Sequence, residues 1–142
     1  MNSASSYNQD QNIRQRLTRA GIYATPQRQA IAEMLLSRHQ HLTADEVYEI
    51  MRRSATKVSR ATVYNTLNLF VENGLLREIF VDASRTFYDS NTSPHYHFYN
   101  LDTGNLIDMN DQDVTRYFSG SLPDGMVLEG IDVVVRVRNG AG

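Results

Sequence analysis

Three consecutive segments in the first half of the sequence carry helix-start signals followed by apolar residues at helical spacing. Thr25 stands before Pro26, which suits the first turn of a helix because no N–H is needed there. Thr43 is followed three residues later by Glu46, as in a capping box, and Ser59 precedes the third segment. We therefore predict three helices that bury their apolar stripes against one another.

A hairpin pattern follows the third predicted helix. Gly74 stands where a left-handed C-terminal cap is expected. Residues 75–81 and 85–88 then indicate two strands separated by a short polar turn. Three helices followed by a hairpin predict a winged helix-turn-helix domain, which we place at residues 1–88.

The second half of the chain has a different pattern, beginning after a hinge that we place at residues 89–93. Two strands flank a turn at 102–105, a helix is expected over 111–119, and residues 127–137 are β-rich. A unit of this size, residues 94–142, buries little apolar surface alone, so we expect it to pair with a second copy. The predicted fold class is α+β, an N-terminal winged helix-turn-helix domain plus a small C-terminal α/β dimerisation domain.

Composition narrows the class of protein. The chain has no cysteine, which excludes disulfides, thiolate nucleophiles and cysteine-ligated zinc. It has no apolar run of the length that a membrane span needs and no apolar signal core at its N-terminus, so we expect a cytoplasmic protein without a membrane partner.

Charge is distributed unevenly between the two halves. Residues 1–88 contain 11 Lys/Arg and 8 Asp/Glu, a net charge of +3, whereas residues 89–142 contain 3 and 8, a net charge of −5. A basic half suits phosphates and an acidic half suits cations. Two solvated surfaces that differ by chance explain the asymmetry equally well.

The third predicted helix would be the recognition helix, whose first turns meet base edges in the major groove. Four polar side chains face away from its apolar stripe and are candidate DNA contacts: Arg60, Thr62, Tyr64 and Asn65. Arginine suits guanine or phosphate, asparagine suits adenine, a tyrosine ring can contact a thymine methyl group, and threonine suits phosphate. The alternative is an ordinary surface helix, because this geometry also occurs in proteins that bind no nucleic acid.

Two histidines alternate in the segment HYHFYNLDTGNLIDM, residues 95–109. Residues two apart in a strand share a face, so His95 and His97 should point the same way. A hairpin closed by a two-residue loop at 103–104 would place Asp108 on that face, diagonal to His97. Two imidazoles and a carboxylate suit Fe(II), Mn(II), Co(II) or Zn(II). The alternative is a half-exposed strand with two ordinary histidines.

Two further candidate ligands lie outside this hairpin. Asp89 ends the predicted wing, and His41 precedes the second predicted helix. If either binds the same ion as the histidines of the hairpin, metal binding would select one relative orientation of the two halves.

Four segments in this order carry a family resemblance: GIYATPQRQAIAEML, HLTADEVYEIM, SRATVYNTLNLFVENGLL and HYHFYNLDTGNLIDM. Together they resemble the ferric uptake regulator family of bacterial metalloregulators over about residues 21–137. The resemblance implies a homodimeric, repressor-type regulator that binds AT-rich palindromic operators in double-stranded DNA. It implies one divalent metal per subunit, with the ligands His41, Asp89, His95, His97 and Asp108. It also implies that Tyr64 contacts bases.

The absence of cysteine departs from the family pattern. Most members hold a structural zinc ion with two CxxC pairs, and here Asn100 and Thr103 occupy the positions of the first pair. We therefore expect no cysteine-type structural zinc, and a dimer held by packing that involves the apolar run near Val133. Tyr23 also stands where a basic DNA contact is common in the family.

The cysteine-free hairpin is similar to that of the iron response regulator branch of the family. Members of that branch sense iron status, in some cases through haem. The cysteine-proline haem motif is missing here, so haem would need a histidine ligand, from the region of His95 and His97.

The leading hypothesis is a metal- or haem-responsive transcription regulator of iron homeostasis genes rather than an enzyme. Fe(II) or Mn(II) would be the functional ion, with Zn(II) an alternative in the purified protein. A peroxide- or manganese-sensing regulator of the same family is the main alternative. A small metal-dependent hydrolase is a distant one, because no spare glutamate beside the histidines offers a general base. A DNA-binding protein with a purely structural metal is a third.

Overall fold

The structure is a computed structural model and describes residues 12–93, 95–109 and 122–141. The chain divides into two compact units, residues 1–92 and 93–142. The helix predicted over 111–119 lies outside the described residues. Within them, no helix combines the length and the apolar character that a membrane span requires.

The described part of the first unit contains four helices. They are α1 (12–19), α2 (Pro26–Leu36), α3 (Ala44–Arg52) and α4 (Arg60–Glu72). The predicted caps are confirmed. Thr25 and Ser59 each accept a hydrogen bond from the backbone N–H three residues later, and Thr43 forms a reciprocal capping box with Glu46.

The core of the first unit is built from apolar side chains of all four helices. Six of those with no exposed surface are Leu17, Ile31, Leu35, Val47, Leu67 and Phe70. Burial of each such side chain contributes about 1.5–3 kcal/mol. This packing fixes the rotation of α4 about its axis, so its opposite, polar face is directed to solvent.

The first unit also contains a three-stranded antiparallel sheet in the order β1-β3-β2. Its strands are β1 (His41–Thr43), β2 (Arg77–Asp82) and β3 (Arg85–Asp89). β2 and β3 form the predicted wing. β1 was not predicted, because three residues before a capping box carry no strand pattern of their own.

The second unit contains a three-stranded sheet in the order β5-β4-β6. The central strand β4 (Tyr96–Asn100) is antiparallel to β5 (Leu106–Met109) and parallel to β6 (Val134–Val137). The β-rich stretch expected at 127–137 therefore forms a strand only in its last four residues.

The loop between β4 and β5 differs from the predicted two-residue turn at 103–104. The amide of Asn100 donates to the carbonyl of Asn105 at 2.9 Å, so four residues, 101–104, form the loop. The side-chain oxygen of Asn100 accepts from the amides of two loop residues at 2.9 and 3.1 Å. These bonds stabilise the longer turn, and a strand pattern alone does not reveal them.

The longer loop shifts the pairing of the hairpin by two residues. Asp108 lies directly opposite His97, and the predicted diagonal placement is wrong. Because the shift is an even number of residues, each side chain keeps its predicted face of the sheet.

Polar contacts tie the same loop to the segment that follows β6. Asp102 accepts from the Arg138 guanidinium at 3.0 Å and from the Asn139 amide at 2.8 Å. The Asn100 side-chain amide donates to the Asn139 side-chain oxygen at 2.8 Å. Asn100 occupies one position of the absent first CxxC pair, and hydrogen bonds connect this loop to the segment after β6.

One face of the second sheet carries exposed apolar side chains. Phe98 is half-buried and lies between Ile107 on β5 and Val135 on β6. Ile107 is 51% exposed and Val135 is 37% exposed. A row of neighbouring apolar side chains of this kind is typical of a surface that another protein covers.

Candidate metal centre and nucleic-acid interface

Three predicted ligands converge in the second unit. His95 and His97 are buried, and the side chain of Asp108 is half-exposed. Asp108 Oδ1 lies 3.3 Å from His97 Nε2 and 3.7 Å from His95 Nε2. One ligand atom from each of these residues lies within 4.8 Å of the other two. This spacing allows the three side chains to bind one ion.

The strand pairing produces this convergence. His97 is in β4 and faces Asp108 of β5 directly, so their side chains leave the sheet on the same side. His95 lies two residues before His97, and the two imidazole rings are 4.5 Å apart between centroids. The ligand set thus depends on the hairpin register and not on a flexible loop.

A backbone carbonyl orients one of the imidazoles. His95 Nδ1 lies 2.7 Å from the carbonyl oxygen of Ser93. A carbonyl oxygen only accepts, so we assign a proton to Nδ1, and Nε2 is the nitrogen that faces Asp108 and would bind an ion. Histidine ligands of metals commonly donate their second N–H in this way. Sequence reasoning missed this contact, because a backbone oxygen has no residue signature.

The remaining two predicted metal ligands lie opposite each other in the sheet of the first unit. His41 in β1 lies directly opposite Asp89 in β3, so both side chains leave that sheet on the same side. Asp89 is 1% exposed and accepts from the Asn91 amide at 2.9 Å. The His41 ring stands edge-on to Phe87. The five predicted ligands thus come from both units, three from the second and two from the first.

The donor set of the second unit suits a small divalent cation. Two neutral imidazoles and a carboxylate supply mixed nitrogen and oxygen ligation, which binds Mn(II), Fe(II) or Zn(II). Both Nε2 atoms are directed at the same carboxylate oxygen, so the space between them fits a single ion. Haem iron would need an imidazole nitrogen with open space in front of it, whereas each Nε2 here faces the Asp108 carboxylate.

The candidate DNA contacts lie along the first two turns of α4. Arg60, Tyr64 and Asn65 are exposed, and Tyr64 has 40% of its surface accessible. Thr62 is half-buried and accepts a hydrogen bond from the Ser59 hydroxyl at 2.9 Å. Three of the four side chains are therefore accessible to a ligand along one helix.

Comparison with known sequences gives consistent matches. The sequence model of the Ferric uptake regulator family matches residues 19–133. The peroxide-responsive repressor PerR of Staphylococcus aureus is 41% identical over 92 residues, which are 65% of this chain and 62% of that protein. The chain thus spans about three fifths of the length of the curated relatives it matches.

Solved structures show a similar fold. The ferric uptake regulator of Pseudomonas aeruginosa with manganese has 28% identity and a TM-score of 0.73, covering 89% of this chain and 97% of that one. The peroxide stress regulator of Campylobacter jejuni has 27% identity and a TM-score of 0.65, covering 92% and 96%. These likenesses confirm the predicted α+β fold class.

Proposed function

The chain belongs to the ferric uptake regulator family, and we propose that it is a metal-responsive, DNA-binding transcription regulator that represses iron-homeostasis genes. The observation that carries this proposal is the convergence of His95, His97 and Asp108 in a chain whose first unit is a winged helix. The named relatives are regulators and not enzymes, so a hydrolase is no longer a candidate.

We propose that the regulatory ion is bound by five ligands from both units. His95, His97 and Asp108 come from the second unit, and His41 and Asp89 from the first. The chain connectivity supports this, because Asp89 precedes His95 by only six residues, a span of at most about 20 Å. An ion bound by both units favours one of their relative orientations, and it thereby changes how two copies meet DNA.

We propose Fe(II) or Mn(II) as the functional ion, with Zn(II) as the ion that the purified protein could retain. The nitrogen and oxygen ligands do not select among these ions by affinity alone. Manganese in the Pseudomonas aeruginosa structure supports the choice. Haem has less support, because the two Nε2 atoms share one carboxylate oxygen as their neighbour.

The proposed DNA target is an AT-rich palindrome bound by a homodimer. A dimer with two-fold symmetry presents two recognition helices to related half-sites. The exposed apolar row of the second sheet, Phe98, Ile107 and Val135, is the proposed contact between copies. The polar face of α4 would enter the major groove through Arg60 and Tyr64, with Thr62 on a phosphate.

Metal content and calorimetry test the proposed site. Protein purified without chelator should contain about one divalent ion per subunit, measured by elemental analysis. The double variant His95→Ala/His97→Ala should bind no Mn(II) in a calorimetric titration. The variant His39→Ala, which removes an exposed histidine that is not a proposed ligand, should bind like the parent. Metal affinity of the histidine variant equal to that of the parent would reject the site.

Peroxide sensing is the second candidate function, favoured by the 41% identity with the Staphylococcus aureus peroxide-responsive repressor. Peroxide would then be the oxidant, bound Fe(II) would promote its reduction to water, and one ligand histidine would take up an oxygen atom. Fe(II)-loaded protein treated with peroxide should gain one oxygen atom on His41 or His95, detected by peptide mass spectrometry. An unchanged mass with retained iron would argue for iron sensing instead.

A further inference from the structure

Asp45, in the first turn of α3, contacts two of the proposed DNA-reading side chains. Its Oδ1 accepts from Arg60 Nη1 at 2.6 Å and from the Tyr64 hydroxyl at 3.4 Å. We propose that Asp45 is a positioning residue for base recognition, which holds Arg60 and Tyr64 in the orientation that reads the operator. This inference rests on the proposed function of α4.

The Arg60 side chain is held on a second side as well. Its guanidinium carbon lies 4.3 Å from the centre of the Tyr48 ring, also on α3. A planar guanidinium suits a carboxylate at its edge and an aromatic ring at its face. An arginine side chain with both contacts has fewer rotamers to lose when it binds a base, which strengthens a specific contact.

Fold stability does not account for this cluster. The Arg60 side chain is 55% exposed and that of Asp45 is 70% exposed, and ion pairs of such exposure contribute little to folding. A carboxylate on this surface also repels DNA phosphates. The negative charge therefore weakens binding to any sequence, whereas orientation of Arg60 and Tyr64 strengthens binding to the correct one only.

These two effects predict a distinct signature for Asp45→Ala. Affinity for DNA of arbitrary sequence should rise, because one repulsive charge is lost. Affinity for the preferred sequence should fall or stay constant, because two base contacts lose their orientation. The ratio of the two affinities should drop by about fivefold or more, the lower end of the discrimination of one good base contact.

Glu49→Ala is the matched control. Glu49 is another exposed carboxylate of α3, and it pairs with Arg52 at 3.8 Å instead of with the recognition helix. Loss of its charge should raise both affinities together and leave their ratio within about twofold of the parent ratio, because it affects only the salt-dependent phosphate term.

The experiment uses the metal-loaded full chain and two duplexes. One is the sequence that the parent protein enriches from a randomised duplex library, and the other is a scrambled duplex of the same composition. Fluorescence anisotropy gives both affinities for the parent, Asp45→Ala, Glu49→Ala and Asp45→Glu, with thermal unfolding midpoints for each. The Asp45→Glu variant keeps a carboxylate and should recover part of the ratio.

Equal ratios for Asp45→Ala and Glu49→Ala would overturn the positioning role. So would an Asp45→Ala effect of unchanged size in an Arg60→Ala/Tyr64→Phe background, because Asp45 would then act independently of its partners. If the proposed function itself is wrong, the parent protein will enrich no sequence from the randomised library, which distinguishes this outcome from the two above. If Asp45→Ala lowers the unfolding midpoint, the ratio of the two affinities is measured with Asp45→Asn, which removes the charge but changes the first turn of α3 less.

Discussion

The variant Asp108→Asn isolates the charged ligand of the proposed metal centre. Asparagine has nearly the same shape, so the hairpin should form as before. It has no negative charge and is a weaker ligand for a divalent ion. The variant should therefore fold normally and lose most of the stabilisation that metal binding provides.

The structure sets the expected magnitudes. Without metal, Asp108 is half-exposed and 3.3 and 3.7 Å from two imidazoles, so its replacement should change the unfolding free energy by less than about 1 kcal/mol. Metal at about 100 times its Kd stabilises the folded parent by about 2.7 kcal/mol. Loss of a residue that hydrogen-bonds to a metal ligand weakens metal affinity about 10- to 100-fold. Replacement of a ligand itself should weaken the affinity by about 100-fold. The variant then retains only about 0.4 kcal/mol at the same metal concentration.

The assay is urea unfolding followed by circular dichroism, with Mn(II) and with chelator. The metal-dependent increment should be about 2.3 kcal/mol smaller in Asp108→Asn than in the parent. Asp124→Asn, which changes an exposed carboxylate in the same unit, should keep the full increment. An undiminished increment in Asp108→Asn would refute the argument that this carboxylate binds the ion.

Three further predictions address the core, the DNA surface and pH. Leu67→Ala removes a side chain with no exposed surface and should lower the unfolding free energy by about 2–5 kcal/mol in urea titrations; a loss below 1 kcal/mol would contradict its place in the core. Tyr64→Ala should weaken binding to the preferred duplex by about fivefold or more, without changing the elution volume in gel filtration. Unaltered affinity would exclude α4 as the reading helix. Burial, together with the charge of Glu78, raises the pKa of Tyr88. The folded state therefore favours the neutral phenol of Tyr88. The contribution of this phenol to the unfolding free energy is complete below about pH 10 and should be lost as pH rises through the raised pKa. Tyr88→Phe should show a shallower loss above pH 10, and equal slopes for both proteins would oppose this.

Local signals were sufficient to predict the three capped helices of the first unit, α2, α3 and α4. Thr25, Thr43 and Ser59 act on backbone groups within three residues, so their capping roles are visible in the sequence. The faces of the β4–β5 hairpin were also predictable, because alternation fixes them even when the register is displaced by two residues.

Non-local pairings account for what sequence reasoning missed. β1 exists because His41–Thr43 pairs with a strand more than forty residues later in the chain, and that pairing brings His41 opposite Asp89. The contact of Asp45 with Arg60 joins two helices and has no periodic signature. Such contacts follow from packing of the whole unit and not from any one segment.

Metal bound at His95, His97 and Asp108 is proposed to control the affinity of the protein for DNA. The most direct test is the affinity for the preferred duplex, measured by anisotropy with saturating Mn(II) and with chelator, in the parent and in His97→Ala. We expect the two affinities to differ by about tenfold or more in the parent and to agree in the variant. Equal affinities with and without metal in a parent protein that binds both metal and DNA would contradict the claim.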